Sequence, residues 1–347
     1  MIRLLRNWRF QTVVLLVLSV IALLLVVFRD QLIPAQFSND ATAIIEIARG
    51  ERVAVDRYYQ FTADVFSATG MVEAPWIAGL ISVLVVVGIV FWIRRQSGRS
   101  GLLAFALSCS LILLTPVFLG TLSKDIFELL LVSLIGILTL RMRFGWAALL
   151  GGIAIFGILV RPYWVVVGML LLAWLLIFRT LKKISIWQVG AIMLVMIVGA
   201  CFGYWLATGE DISSVREVAS GAEVAVSRIN NVVEPGSPLR ASLNSVVVFA
   251  WLFVPVGMFV LGDMYHIAAG VLIMAIMGSF VFWLVRRAGK NLRFDVAVAA
   301  SITLAFFVVS CLFEPDYGSY LRHLVPIIPF MIYCLVSTKI EEKKVIS

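Results

Sequence analysis

Charge is what this sequence has least of. Asp, Glu, Lys and Arg make up only 14% of its 347 residues, while 62% are hydrophobic. Soluble domains are about half apolar, so an ordinary soluble fold is excluded. Histidine is scarcer still: His266 and His323 are the only two, too few for a multi-histidine metal centre. The four cysteines, Cys109, Cys201, Cys311 and Cys334, lie far apart within or at the edges of apolar runs. They read as small core residues and not as a disulfide framework. Also missing are the ten-residue alternating strands of a membrane barrel, and no internal repeat supports an inverted-repeat transporter. No basic patch interleaved with aromatics is present, so the net charge of +8 does not point to nucleic acid.

What the chain has in abundance is apolar length. Runs of roughly 17–25 residues, enough to cross about 30 Å of hydrocarbon as a helix, recur throughout. Ten spans are expected, at about 12–28, 77–93, 101–120, 126–140, 146–160, 164–178, 185–207, 266–285, 295–313 and 325–338. The fold class is therefore all-α: a single polytopic membrane domain over residues 1–347, with both termini cytoplasmic. Arg3, Arg6 and Arg9 before the first run resemble a signal peptide, but no small-residue cleavage site follows, so a retained span is expected. The clusters Arg94/Arg95/Arg99, Arg141/Arg143, Arg179/Lys182/Lys183, Arg286/Arg287/Lys290/Arg293 and Lys339/Lys343/Lys344 then share the inner side. Among acids only Asp295, Glu341 and Glu342 join them, as the positive-inside rule requires.

The apolar stretch Ser245–Leu261 resists this layout, because counting it as a span would place the later basic clusters outside. Pro255, Gly257 and Gly262 interrupt it. A re-entrant or interfacial helix over 242–261 is expected, permitted where protein or water covers its backbone. Three outer loops follow: 29–76, 208–262 with that helix, and 314–324. Amphipathic stretches at 41–48, 53–67 and 213–230 make the long loops caps over the membrane face.

Basic residues pressed against span ends on the outer side carry the functional argument. In Ser123-Lys124-Asp125, lysine either snorkels beside a helix-capping aspartate or presents a cation to an anion such as a diphosphate. Arg161-Pro162-Tyr163 either meets headgroups or binds phosphate, for which arginine is suited. The densest group is Glu314–His323, which crowds Asp316, Tyr317, Tyr320, Arg322 and His323 into one short loop. Charge so near hydrocarbon is usually paired or functional. Its tyrosines suit either sugar faces or the interfacial belt. Asp40 either caps the helix at 41–48 or acts as a base toward an acceptor hydroxyl. Arg240 either anchors the re-entrant helix or reaches a phosphate. Glu46, Asp56, Arg57 and Asp64 read as polar helix faces. Asp263 and His266 sit in a short connection where a structural role is expected, and Glu128 lies near the start of the fourth expected span.

An aspartate-bearing first outer loop, the "SKD" turn at Ser123–Asp125, the "RPY" turn at Arg161–Tyr163 and the last loop "YGSYLRHLVPIIP" at Tyr317–Pro329 together resemble Wzy-like polysaccharide polymerases. These belong with the GT-C-like polytopic glycosyltransferases that use lipid-linked sugar donors. The resemblance implies glycan transfer from an undecaprenyl-diphosphate carrier at the periplasmic face of a bacterial inner membrane, building an O-antigen or exopolysaccharide. It implies Arg161, Arg240 and Arg322 as anion-binding and catalytic cations, with Lys124 a further one. Asp40, Asp316 and His323 would serve the acceptor hydroxyl, and Tyr317 and Tyr320 the glycan. No cofactor is expected, although the many outer acids leave a divalent metal open. The partners implied are the lipid-linked glycan, membrane lipid and other polysaccharide-assembly proteins. The second outer loop is short for an O-antigen polymerase, and the prominent first loop is more typical of monosaccharide-transferring members. The competing expectation is a transporter or flippase for a lipid-linked glycan or other amphipathic anion.

Overall fold

The computed structural model describes residues 7–97, 101–181, 183–216 and 227–344. Arg3, Arg6, Arg99, Lys182 and the centre of the amphipathic stretch at 213–230 lie outside the described residues. The described chain is helical throughout, with no strand beyond an isolated bridge between Arg228 and Asp316. Among the described residues, six helices are long and apolar enough to cross a membrane, as in a multi-pass membrane protein. The chain divides into two compact units, Met1–Gly168 with Val325–Ser347, and Met169–Leu324.

In the first unit, α1 (Trp8–Val27) starts where the Asn7 side chain accepts the Arg9 amide. The amphipathic helices α2 (Asn39–Ala48) and α3 (Arg57–Ala68) follow in the first loop. Asp56 caps α3 by accepting the amides of Tyr58 and Tyr59. Then come α4 (Trp76–Ser97) and α5 (Leu102–Phe118), both packed on α1. Next, α6 (Asp125–Glu128) runs through a π-helical stretch, Leu129–Leu134, into α7 (Ile135–Thr139). After α8 (Gly145–Leu159) the chain turns into α9 (Trp164–Thr180), of which only the start, up to Gly168, belongs to this unit, and α16 (Ile328–Lys344) packs back on α4 and α5.

Helices gain little from hydrophobic burial against one another in lipid, so close contact depends on small residues. A Cβ on Gly79 would stand 2.2 Å from the Gly120 carbonyl oxygen, and one on Gly152 would stand 2.0 Å from that of Leu131. The second contact seats α8 against the π-helical stretch, and α1 leaves Val13, Leu16, Val17, Val20 and Leu24 exposed for lipid.

The second unit holds α10 (Ile186–Thr208), α11 (Pro238–Phe253), α12 (Val256–Leu261), α13 (Met264–Arg287), α14 (Phe294–Phe313) and α15 (Tyr317–Leu324). Ser185 and Gln188 cap α10 reciprocally, and Gly209 ends it in the left-handed conformation. Along α14 nearly every side chain is buried, whereas α10 exposes Val195, Phe202 and Leu206.

Four expected spans fall short of the six. Leu102–Phe118, Gly145–Leu159 and Trp164–Thr180 are apolar helices of 15–17 residues, and the fourth is split by the π-helical stretch. The expected re-entrant segment is two helices broken at Val254-Pro255, where proline lacks an amide. Near its start, Asp211 Oδ2 accepts the Gly236 and Ser237 amides at 2.7 and 3.3 Å. Beyond its break, Gly257 lies against the Tyr317 ring, which a Cβ would meet at 3.1 Å.

Candidate functional site

Three of the expected site residues come together in the first unit. The turn between α5 and α6 presents Ser123, Lys124 and Asp125, all buried. The turn between α8 and α9 presents Arg161, whose carbonyl accepts the Trp164 amide. Trp164 is fully buried and meets Phe156 edge-on at 5.3 Å, which anchors the turn. Arg161 Nη2 reaches Asp125 Oδ1 at 2.8 Å, and Nη1 donates to the Tyr163 hydroxyl at 2.9 Å. Burial opposes the Arg161 charge, but Asp125, helped by Tyr163, Asp40 and Glu128, more than offsets it, and the guanidinium is held above its ordinary pKa. Asp125 is further fixed by the Ser123 hydroxyl, which donates to Oδ2 at 3.1 Å.

Lys124 lies in a different setting. Its ammonium sits over the ring of Tyr59, 3.1 Å from the centroid, and 8% of the residue is exposed. Burial, and then the neighbouring Arg161 charge, push its pKa down to about 8, against the pull of Asp56, Asp40 and Asp125. The Tyr59 hydroxyl donates to Asp40 Oδ1 at 3.1 Å. Asp40 therefore lies in the first turn of α2 with its side chain turned to α3, and does not act as the cap that its position suggested.

The first loop is pinned to this end of the unit by Arg29, a residue the sequence argument passed over. Its guanidinium donates to Ser38 Oγ at 2.5 Å and to the carbonyls of Phe37 at 2.9 Å and Val117 at 3.0 Å. The last contact is to the terminal turn of α5, where carbonyls lack helical partners. The one signal in the sequence is its place just past the end of the first expected span.

The second unit holds the remaining expected residues. His323 Nδ1 and Glu314 Oε1 lie 2.7 Å apart, with both side chains buried. Asp316 accepts the amide and hydroxyl of Ser319, each at 2.9 Å, and so caps the start of α15; it is not presented as a base. Arg322 is half-buried and Arg240 is exposed. Tyr317 and Tyr320 are 2% and 0% exposed. The Tyr320 hydroxyl donates to Met277 Sδ at 3.1 Å, and its ring stacks on Phe306. Their rings pack the unit and are not offered to a sugar. Asp263 caps α13 and contacts His266, the structural role expected of that pair.

A polar knot between α10 and α11 was not apparent from the sequence. Buried Arg216 donates to the Cys311 carbonyl and to Asn231. Asn244 accepts the Val232 and Val233 amides at 3.0 Å each. Asp211 is held below the ordinary carboxylate range: burial opposes this, but Ser213, Gly236 and Ser237 donate to its charged form. Among the described residues no cluster of three or more His, Cys, Asp or Glu could hold a metal ion.

Comparison with family models, curated proteins and solved structures returned no match.

Proposed function

We propose that this chain is a membrane glycosyltransferase that takes a glycan from an undecaprenyl-diphosphate carrier, in the manner of Wzy-like polysaccharide polymerases. In this reading it crosses a bacterial inner membrane about ten times with both termini cytoplasmic, and residues 238–261 return to the periplasmic face from which they enter. The contacts of Gly236 and Ser237 with Asp211, and of Gly257 with Tyr317, support that return.

One observation carries the reading: a buried ammonium, Lys124, rests on an aromatic face beside an arginine that a carboxylate already neutralises. Arg161 and Asp125 cancel as a pair, so Lys124 is the cation with charge to give. A diphosphate leaving group gathers negative charge as the glycosidic bond breaks, and a preorganised cation stabilises it most where water is excluded. Arg161 then orients the phosphate oxygens, and Asp40, already bonded to Tyr59, accepts the proton of the acceptor hydroxyl. Shifting His323 and Arg322 into this chemistry is not needed for the first unit to bind an anion.

The test replaces Lys124 and Arg161 singly and follows lipid-linked intermediates in cells. Single, unextended glycans on the carrier at the outer leaflet are the expected result. Accumulation at the cytoplasmic leaflet would make transport the better account, and normal glycans in both variants would remove the site.

A further inference from the structure

Three carboxylates favour the charge of Lys124, yet each is engaged by another donor. Asp56 accepts the amides of Tyr58 and Tyr59 at 2.9 and 2.7 Å and caps α3. Asp40 accepts the Tyr59 hydroxyl. Asp125 holds Arg161 and Ser123. Tyr59 takes part in two of these arrangements and supplies the ring under the ammonium as well.

We propose that Tyr59 is a positioning residue that keeps Lys124 charged without letting a carboxylate neutralise it, so that the ammonium stays available to a phosphate-bearing ligand. This rests on the reading of the first unit as an anion site. The physical logic is a choice between two kinds of partner. A carboxylate in direct contact would satisfy Lys124 and compete with any incoming phosphate. The face of an aromatic ring stabilises a cation through its quadrupole, yet it covers one side only and brings no opposing charge. The hydroxyl of the same residue occupies Asp40, the carboxylate of α2 with an influence on Lys124. Ring and hydroxyl thus act together, one holding the cation and the other the nearby anion. Arg161 faces the ammonium from the α8–α9 turn, Asp125 from its own turn, Asp40 from α2 and Asp56 from the start of α3.

The experiment uses the full chain in nanodiscs of phosphatidylethanolamine and phosphatidylglycerol. The rate at which Lys124 is acetylated is followed by mass spectrometry against pH, with inorganic pyrophosphate as the protecting probe. Phenylalanine and then successively fluorinated phenylalanines at position 59 keep the ring's shape while draining its quadrupole. Tyr59→Phe releases Asp40 and should raise the titration midpoint of Lys124, and successive fluorination from that reference should lower it stepwise, by about half a pH unit or more across the series. Tyr59→Leu should raise the midpoint, as Lys124 turns to Asp40, and weaken protection by pyrophosphate about tenfold. A flat fluorination series overturns the proposal, whether or not the leucine variant folds. An equal loss of protection in Tyr59→Phe and Tyr59→Leu also overturns it. Because the midpoint is read on Lys124 itself, a moving series with normal glycans in Lys124→Met would sink the transferase reading and leave this one standing.

Discussion

The Arg161–Asp125 pair allows structure and chemistry to be separated within one site. Asp125 is 0% exposed and the Arg161 side chain 13%, with 2.8 Å between their atoms. Replacing Arg161 by Met leaves a buried carboxylate with its charge uncompensated, a change that costs about 3–5 kcal/mol. Replacing Asp125 by Leu strands the guanidinium at a similar cost. The double variant Arg161→Met/Asp125→Leu removes both charges together with their desolvation penalties, so it should lie within about 2 kcal/mol of the parent protein. A coupling of several kcal/mol then separates the double variant from the sum of the singles. SDS-titrated unfolding, read by tryptophan fluorescence, measures all four corners of the cycle. Glycan extension should behave differently: if Arg161 orients a phosphate, both variants that lack it lose about a hundredfold or more, and the double variant stays inactive although it is stable again. Additive stabilities, or glycan extension restored in the double variant, would refute the reasoning.

Lys124 gives a pH signature of opposite sign in stability and in binding. Below about 8 the folded chain carries the full cost of its buried charge. Between about 8 and 10.4 the folded state sheds the proton that the unfolded chain keeps, so stability rises with pH, by on the order of 1–3 kcal/mol. Pyrophosphate binding should fall over that same window, and Lys124→Met should flatten both curves in paired unfolding and calorimetric titrations. Gly152→Ala places a methyl 2.0 Å from the Leu131 carbonyl oxygen, so α8 must move off the π-helical stretch. A loss of about 1–3 kcal/mol is expected in the same unfolding assay, whereas Gly151→Ala, with open space at its Cβ, should be nearly silent. Cysteines at exposed Arg240 and Met264 should react with an impermeant maleimide from the periplasmic side, and one at exposed Trp187 only after the membrane is opened. Labelling of position 264 from the cytoplasm would make residues 238–261 a true crossing.

Hydropathy and local punctuation made much of the helical layout legible. The turns at Ser123–Asp125 and Arg161–Tyr163 fall where charge and proline interrupt apolar runs, and Pro255 breaks its helix as the missing amide demands. Partner choice was not legible. Asp125 stands 36 positions from Arg161, and only the packing of α6 against α8 brings them together. Tyr59 was not singled out within the amphipathic stretch 53–67, because nothing local distinguishes a ring that will carry an ammonium. The same limit applied to Tyr317 and Tyr320, which in the sequence suited either a sugar face or the interfacial belt. A loop can fold its aromatics inward, and the contacts with Gly257, Met277 and Phe306 draw these two into the unit.

Scarce charge in an apolar chain imposes a rule on every ionic group that remains: it must be satisfied locally or be held for a ligand. Most groups in the structure meet the first condition. Arg29 and Arg216 are spent on carbonyls, Asp56, Asp211 and Asp316 on amides, and Asp125 on Arg161. Lys124 rests on an aromatic face, as buried Arg94 rests on Trp8 while bonded to Gln11, and a ring lowers the cost of burying a charge without cancelling it. A basic residue at the end of an apolar run is therefore weak evidence by itself. What singles out Lys124 is the commitment of its neighbours. In the proposed site an incoming anion would meet carboxylates already bonded to their donors and the ammonium of Lys124 on its ring.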